Sequence, residues 1–314
     1  MIVSINPTYY CNFQCDFCYL TKEQLADRKR LSVSLLEQRI NEILACETIE
    51  MVDLYGGEIG LLPEDYVEDI CNMLGQYGIN DINIITNLSM VNSVILNPDL
   101  YVTISYDFDC REQHDRVWNN MLLLNKPFSI LILASKDLIN KDVDDMIEQL
   151  NLLQNLTSVE IKPYSTNQAN AHNVSHKDYE QFVQKWLISP VDKQFQFVNE
   201  NNIQKSINGT RNAFSNDHVY ITPDGEFAVL EFDLNDKEYF KPLNSIQEYL
   251  IWASNEPDLN VSQICRDCEY YGRCLTEHYR YVKDLDNGCN GYKNLLNWYK
   301  HERMETNARD ISQA

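Results

Sequence analysis

The chain has 314 residues, 44% of them hydrophobic and 23% charged, the balance of an ordinary globular protein with room for a large core and not of a disordered chain. With 47 acidic residues against 26 basic ones the formal net charge is −21, a field that repels phosphate backbones and excludes nucleic acid as a partner. No run approaches the ~18 apolar residues of a membrane span, and the opening MIVSINPTYY lacks the basic start and apolar core of a secretion signal, so no membrane is expected and the cytoplasm is the expected location.

In chain order, residues 2–9 read as a strand and 32–45 as an amphipathic helix; 51–55 as a strand and 64–74 as a helix. Residues 81–86 are strand-like, and 101–106, β-branched and apolar, form a strand before a helix over 111–124. Residues 128–134 with 141–153, and 158–164 with 177–187, give the last two strand–helix pairs. Six such units in about 190 residues predict parallel strands with crossover helices, as an open sheet or a barrel arc. Residues 194–216, rich in Asn, Gln and Ser, read as loop. Thr222-Pro223-Asp224-Gly225 is a turn between two alternating runs, predicting a hairpin over 219–232. A short helix over 246–254 and an amphipathic one over 291–304 follow. The divisions expected are a core over 1–190, a linker over 191–217, and a smaller domain with a terminal helix over 218–314.

Ten cysteines in a cytosolic chain need a purpose other than disulfides, and seven of them fall into two clusters. Cys11, Cys15 and Cys18 follow the first strand as Cys-x3-Cys-x2-Cys. Three thiolates can hold three irons of a [4Fe–4S] cluster and leave the fourth open to a ligand; the alternative is zinc with a borrowed ligand. The segment CNFQCDFCYL, with the aromatic Phe17 before the last cysteine, resembles the signature of the radical SAM superfamily. That resemblance implies a partial (β/α)6 TIM-type barrel over roughly residues 1–190. It also implies S-adenosylmethionine (SAM) chelated to the open iron and reductively cleaved to a 5′-deoxyadenosyl radical that takes hydrogen from a substrate.

Further residues fit the resemblance. Gly56-Gly57-Glu58 after the second strand is similar to the family's GGE motif, whose backbone and carboxylate hold the SAM amino group. Glycine permits close backbone approach and a carboxylate suits an ammonium. Thr86-Asn87 resembles the TN element. Ser105 and Asp107 stand where similar proteins hold the ribose, and Lys162 and Tyr164 where the adenine edge packs. Phe17 and Tyr19 flank Cys18 beside the cofactor. Asp107 could instead cap a helix, and Lys162 could be a solvated charge.

Cys265, Cys268, Cys274 and Cys289 form Cys-x2-Cys-x5-Cys-x14-Cys, a set that suits either zinc or a fully ligated [4Fe–4S] cluster. The run resembles the SPASM or twitch extension that follows a hairpin in many radical SAM enzymes. A full SPASM pattern would place cysteines at Leu230 and His278; their absence implies one auxiliary cluster, with His278 on a helix surface or as a ligand.

The resemblance implies a peptide or protein substrate of the kind met in maturation of ribosomally made peptides, by crosslinking, splicing, epimerisation or oxidation. The acidic charge suits a basic leader. The signature begins at residue 11, so a separate small leader-recognition protein is expected, together with an electron donor such as flavodoxin or ferredoxin. Cys110, past the fourth strand, is the candidate thiol for returning a hydrogen atom. Competing readings are a radical SAM dehydrogenase or rearrangement enzyme for a small molecule, and a non-enzymatic metal-binding or electron-transfer protein.

Overall fold

A computed structural model describes residues 1–163, 174–210, 218–230, 240–259, 263–275, 289 and 292–304. Its strands are β1 (Ile2–Ile5), β2 (Met51–Leu54), β3 (Ile82–Thr86), β4 (Leu100–Ser105), β5 (Phe128–Leu133), β6 (Leu156–Lys162), β7 (Gln196–Phe197), β8 (His218–Ile221), β9 (Phe227–Leu230) and β10 (Phe240–Leu243). The helices are α1 (Lys22–Ala26), α2 (Val33–Leu44), α3 (Glu64–Gln76), α4 (Ser93–Leu96), α5 (His114–Leu123), α6 (Val143–Leu150), α7 (His176–Ile188), α8 (Val198–Ile207), α9 (Ile246–Leu259), α10 (Gln263–Arg266) and α11 (Lys293–Tyr299), the last continued by a π-helical turn over Lys300–Met304. No helix among the described residues is long and apolar enough to cross a membrane.

Strands β1 to β7 lie side by side in chain order and parallel, and β8 joins β1 in parallel on its other side. The two ends of the sheet, β7 and β10, are not paired with each other. This is the arc of a partial TIM-type barrel, as expected. Alternation along the strands explains its two faces. Val3, Ile5, Val52, Leu54, Ile84, Val102, Ile104, Ile130, Ile132, Val159 and Ile161 are buried in one core with helix residues such as Leu36, Ile40, Ile70, Val117 and Ile147. The intervening residues on the opposite face are mostly polar, Ile85 and Leu131 excepted. There Asn83 donates to Asp53 at 2.8 Å, Thr103 donates to Asn83 at 3.0 Å, and Ser4 lies 2.6 Å from His218 Nε2. The arc therefore encloses a polar lumen, with functional residues at the C-terminal strand ends.

Two segments depart from the sequence reading. Within residues 194–216 the chain forms β7 and α8 instead of a continuous loop. The amide of Asn199, in the first turn of α8, accepts from Ile161 N–H at 2.7 Å and donates to Ile161 C=O at 2.8 Å. A side chain thus stands in for the neighbouring strand where two-residue β7 has ended. The hairpin β8–β9 is also not separate from the barrel sheet, because β8 hydrogen-bonds β1 from Ile2↔His218 to Ile5↔Ile221. A third strand, β10, which the sequence did not suggest, extends it. Strands from both sides of the boundary expected near 191–217 thus belong to one sheet.

Candidate functional site

The first three cysteines occupy the loop between β1 and α1, at the C-terminal end of the barrel. The loop is tied down at each end. Cys11 N–H donates to Leu25 C=O at 3.1 Å, and Thr8 Oγ1 donates to Lys29 C=O at 2.9 Å. Thr21 and Gln24 form a reciprocal capping box that starts α1. The thiols receive N–H groups: Phe13 and Leu20 donate to Cys11 and Cys18, each at 3.4 Å, and Asn87 Nδ2 reaches Cys11 at 3.6 Å. Burial pushes Cys11 up to about 11 and Cys15 up to about 12, and raises Cys18. Ionised, Cys18 would raise both of the others further, so the three thiols share one electrostatic environment.

Gly56, Gly57 and Glu58 follow β2 directly. The close approach that the glycines allow is made by the chain itself. A Cβ at Gly57 would meet Tyr10 O at 2.1 Å, and one at Gly56, where φ is +145°, would meet Thr8 O at 2.7 Å. Gly57 and Glu58 donate through their N–H groups to Thr8 and Tyr10 carbonyls, at 2.9 and 2.8 Å. The cysteine loop is thus docked on the glycines.

Glu58 is buried. Its Oε1 accepts from Thr86 Oγ1 at 2.5 Å and Gly60 N–H at 2.8 Å, and its Oε2 accepts from Asn87 N–H at 2.6 Å. Burial raises its carboxyl above the ordinary range, against the pull of these donors and of Arg111. The carboxylate thus accepts from its own turn through Gly60 and from the turn after β3 through Thr86 and Asn87. That turn in turn aims the Asn87 amide at Cys11 and at Asn12 Oδ1, 3.1 Å away.

Sequence reasoning missed Arg111. It is buried against Asp107, with Nε at 2.8 Å and Nη2 at 2.6 Å from Oδ2. Its Nη1 lies 3.9 Å from Cys15 Sγ, and its guanidinium stacks 5.0 Å over the Phe17 ring. Asp107 also accepts from Leu133 N–H at 2.6 Å, and it makes no side-chain cap. It is therefore an anchor inside the protein and not a helix cap. The only signal in the sequence was an Arg four residues after an Asp at a strand end.

No family model matches the sequence, and no curated protein matches it. Among solved structures, anSMEcpe with bound AdoMet superposes with a TM-score of 0.67 at 14% identity over 99% of each chain. SuiB from Streptococcus suis bound to S-adenosylmethionine gives a TM-score of 0.63 at 13% identity, over 90% of this chain and 73% of that one. SuiB bound to its precursor peptide SuiA gives 0.63 at 14% identity, over 93% and 74%. The chain has the fold of these structures.

The second cysteine set lies beyond the hairpin. Cys265 and Cys274 are buried, and Cys268 and Cys289 are half-buried. Burial pushes Cys265 up to about 12, with further contributions from Cys289, Cys274 and Cys268. Tyr270 N–H donates to Cys268 at 3.5 Å, and Tyr270 Oη donates to Asn297 of α11 at 2.8 Å. Arg273 donates to Ile207 C=O at the end of α8 at 3.2 Å and stacks on Tyr270, placing a cation at a helix C-terminus. The site is held between α8 and α11. Among the described residues no three His, Cys, Asp or Glu side chains approach closely enough to chelate a single ion.

Other expected residues are spread around the mouth. Ser105 ends β4, and Tyr19 Oη donates to Gly56 C=O at 3.2 Å while its ring packs on Tyr55 and Phe240. Lys162 Nζ pairs with Glu160 at 3.0 Å on the lumen face of β6. Cys110 turns to Asp109, 3.9 Å from its Oδ1, and burial pushes it up to about 11. Tyr164 and His278 lie outside the described residues. Asn6, after β1, is another residue not singled out from sequence. It is fully buried, and neither end of its amide has a partner; its Oδ1 would lie 3.2 Å from a Cβ at Gly56. An unpaired buried amide is costly unless a bound polar group satisfies it.

Proposed function

We propose that this protein is a radical SAM enzyme that acts on a peptide or protein. The observation that carries the reading is the set Cys11, Cys15 and Cys18 at the barrel mouth. The three thiols are half-buried; Cys11 receives N–H groups from Phe13 and Asn87, Cys18 one from Leu20, and Cys15 stands beside a guanidinium. Such a donor set suits a negatively charged iron–sulfur cluster with one iron left open. When bound, the cluster and SAM supply one-electron cleavage of a carbon–sulfur bond and hydrogen-atom abstraction. The chain's part is to hold and shield them. Gly56, Gly57 and Glu58 fix the cysteine loop, Asn6 offers a buried amide beside Gly56, and Ser105 and Tyr19 stand at the mouth for the remaining SAM groups.

A peptide substrate is supported by the shared fold with anSMEcpe bound to AdoMet and the Cp18Cys peptide, at a TM-score of 0.66, and with SuiB bound to SuiA. It is also supported by the polar lumen and the charge of −21, which attracts a basic segment. Cys265, Cys268, Cys274 and Cys289 would hold an auxiliary cluster closed to substrate, leaving electron transfer or support as its use.

The test is anaerobic reconstitution with iron and sulfide, followed by reduction with SAM. About eight irons per chain with 5′-deoxyadenosine formed are expected for two [4Fe–4S] clusters. About four irons and one zinc would keep the activity and make the second site structural. No 5′-deoxyadenosine, with iron unchanged when Cys11, Cys15 and Cys18 are replaced by Ala, overturns the reading.

A further inference from the structure

We infer that Arg111, held by Asp107, is a positioning residue that sets the reduction potential of the cluster at Cys11, Cys15 and Cys18; this rests on the cluster reading above. Four observations converge on it. The guanidinium is buried, and its side chain is 12% exposed against 1% for that of Asp107. Two of its nitrogens are committed to one carboxylate oxygen of Asp107, whose other oxygen is fixed by Leu133 N–H of β5. The third nitrogen is thereby directed at Cys15 Sγ, and the flat face lies over Phe17, between Cys15 and Cys18 in sequence. Glu112, the next residue, accepts from Gln14 N–H at 3.1 Å, so the same short segment grips the cysteine loop twice.

The backbone is bent to achieve this. Among the described residues three non-glycine residues have left-handed backbone: Leu88 at φ 49°, Phe108 at 54° and Gln113 at 52°. Phe108 and Gln113 bracket Arg111, and Leu88 follows the Thr86-Asn87 turn that reaches Cys11. A buried Phe in this region is strained, and such strain persists only where surrounding contacts over-determine it. Both groups that approach the thiols from outside their own loop are therefore delivered by strained turns. They differ in charge: Asn87 brings a neutral amide to Cys11, Arg111 a full positive charge to Cys15.

An added electron makes an iron–sulfur cluster more negative. A buried cation beside a ligating sulfur favours that reduced state and raises the potential, while the Asp107 carboxylate behind it offsets part of the effect. The two residues must then act in opposite directions. Arg111→Met leaves Asp107 unbalanced and lowers the potential; Asp107→Asn relieves the offset and raises it. General damage to the loop would not separate the two signs.

The experiment is a redox titration of the reconstituted full chain, followed by electron paramagnetic resonance. Cys265, Cys268, Cys274 and Cys289 are left intact, and the signal of the first cluster is assigned by its perturbation on adding SAM. For Arg111→Met we expect about a tenfold fall in the reduced-to-oxidised ratio at fixed ambient potential, 59 mV for a one-electron couple. Arg111→Lys should recover part of the change and Asp107→Asn should reverse its sign. Equal ratios in Arg111→Met and wild type, or shifts of the same sign in Arg111→Met and Asp107→Asn, overturn the assignment while leaving the cluster reading intact. A wild type that holds no iron at Cys11, Cys15 and Cys18 overturns the cluster reading itself. Should the variants fail to assemble, wild type labelled with 15N-arginine decides. A resolved 15N hyperfine coupling to the reduced cluster supports the contact with Cys15, and its absence overturns it.

Discussion

Gly57→Ala is a one-carbon change whose cost can be worked out from the structure. The added Cβ would lie 2.1 Å from Tyr10 O and 2.6 Å from the carbonyl carbons of Tyr9 and Tyr10. All three atoms are backbone, so no side chain can rotate away, and ordinary contact requires the cysteine loop to retreat by more than about 1 Å. That retreat breaks the bonds from Gly57 N–H to Thr8 C=O and from Glu58 N–H to Tyr10 C=O. Two hydrogen bonds at about 1 kcal/mol each and an overpacking cost of about 1–3 kcal/mol give about 3–5 kcal/mol. With an unfolding entropy of about 2.1 cal/mol/K per residue over 314 residues, the melting temperature should fall by about 5–8 °C. Iron bound at the first cysteine set should fall further still, because the displaced residues are its immediate neighbours. Gly75→Ala is the control. It lies inside α3 with nothing within 4 Å of its Cβ position, and it should gain about 0.5–1 kcal/mol from helix propensity. The assays are differential scanning fluorimetry and iron per chain, both under anaerobic conditions. If Gly57→Ala melts within about 1 °C of wild type and keeps its iron, the docking of the loop on these glycines is refuted.

The remaining expectations concern three buried groups. Glu58→Gln points an amide NH2 at a donor that the carboxylate satisfied; it should cost about 2 kcal/mol and loosen Asn87 from Cys11, seen as faster iron loss to a chelator, and an unchanged rate counts against the relay. Glu180, buried on α7 with Leu295 N–H of α11 at 3.1 Å, is pushed up to about 7 by burial. Folding therefore favours its protonated form, and the stability it lends below about pH 4.5 is lost as pH rises to about 7. Glu180→Gln should remove that slope, leaving the variant up to about 3 kcal/mol more stable than wild type above pH 7, measured as melting temperature against pH; parallel curves for the two proteins would refute it. Cys289→Ala should remove about four irons, or one zinc, while leaving iron at Cys11, Cys15 and Cys18; loss of all metal would mean that the two sites fold as one unit.

The barrel was legible because its apolar face repeats every second residue in strand after strand. Val3 and Ile5, Val52 and Leu54, Val102 and Ile104, Val159 and Ile161 each flank a polar residue that faces the lumen. That pattern depends on local burial alone. What it could not reveal is pairing between distant segments. Whether β8 lies against β1 or against β9 only is decided by partners more than 200 residues apart, and a four-residue strand such as His218–Ile221 looks the same in either case. The segment 194–216 failed for another reason. Asn is a loop residue when its side chain competes with its own backbone, but Asn199 uses the same amide to complete the edge of β6.

The same distinction separates the site residues found from those missed. Cysteines are chemically distinctive, so Cys11, Cys15 and Cys18 stand out as candidates through their spacing and the surrounding CNFQCDFCYL. Arg111 and Asn6 are distinctive only through what surrounds them. An Arg four residues after an Asp is common on any helix surface as a solvated i,i+4 pair worth a few tenths of a kcal/mol. Here, with Phe108 and Gln113 in left-handed backbone, the segment is a single 3-10 turn over Phe108–Cys110 and not an α-helix, and Asp107 is anchored to β5. The pair is thus turned inward, where desolvation makes its direction matter. A charge that would be idle on the surface stands instead 3.9 Å from Cys15 Sγ, where it acts on Cys15 and Cys18. Sequence spacing points to the candidate ligands, but the residues proposed to tune them are placed by strain and burial, and those are properties of the folded chain.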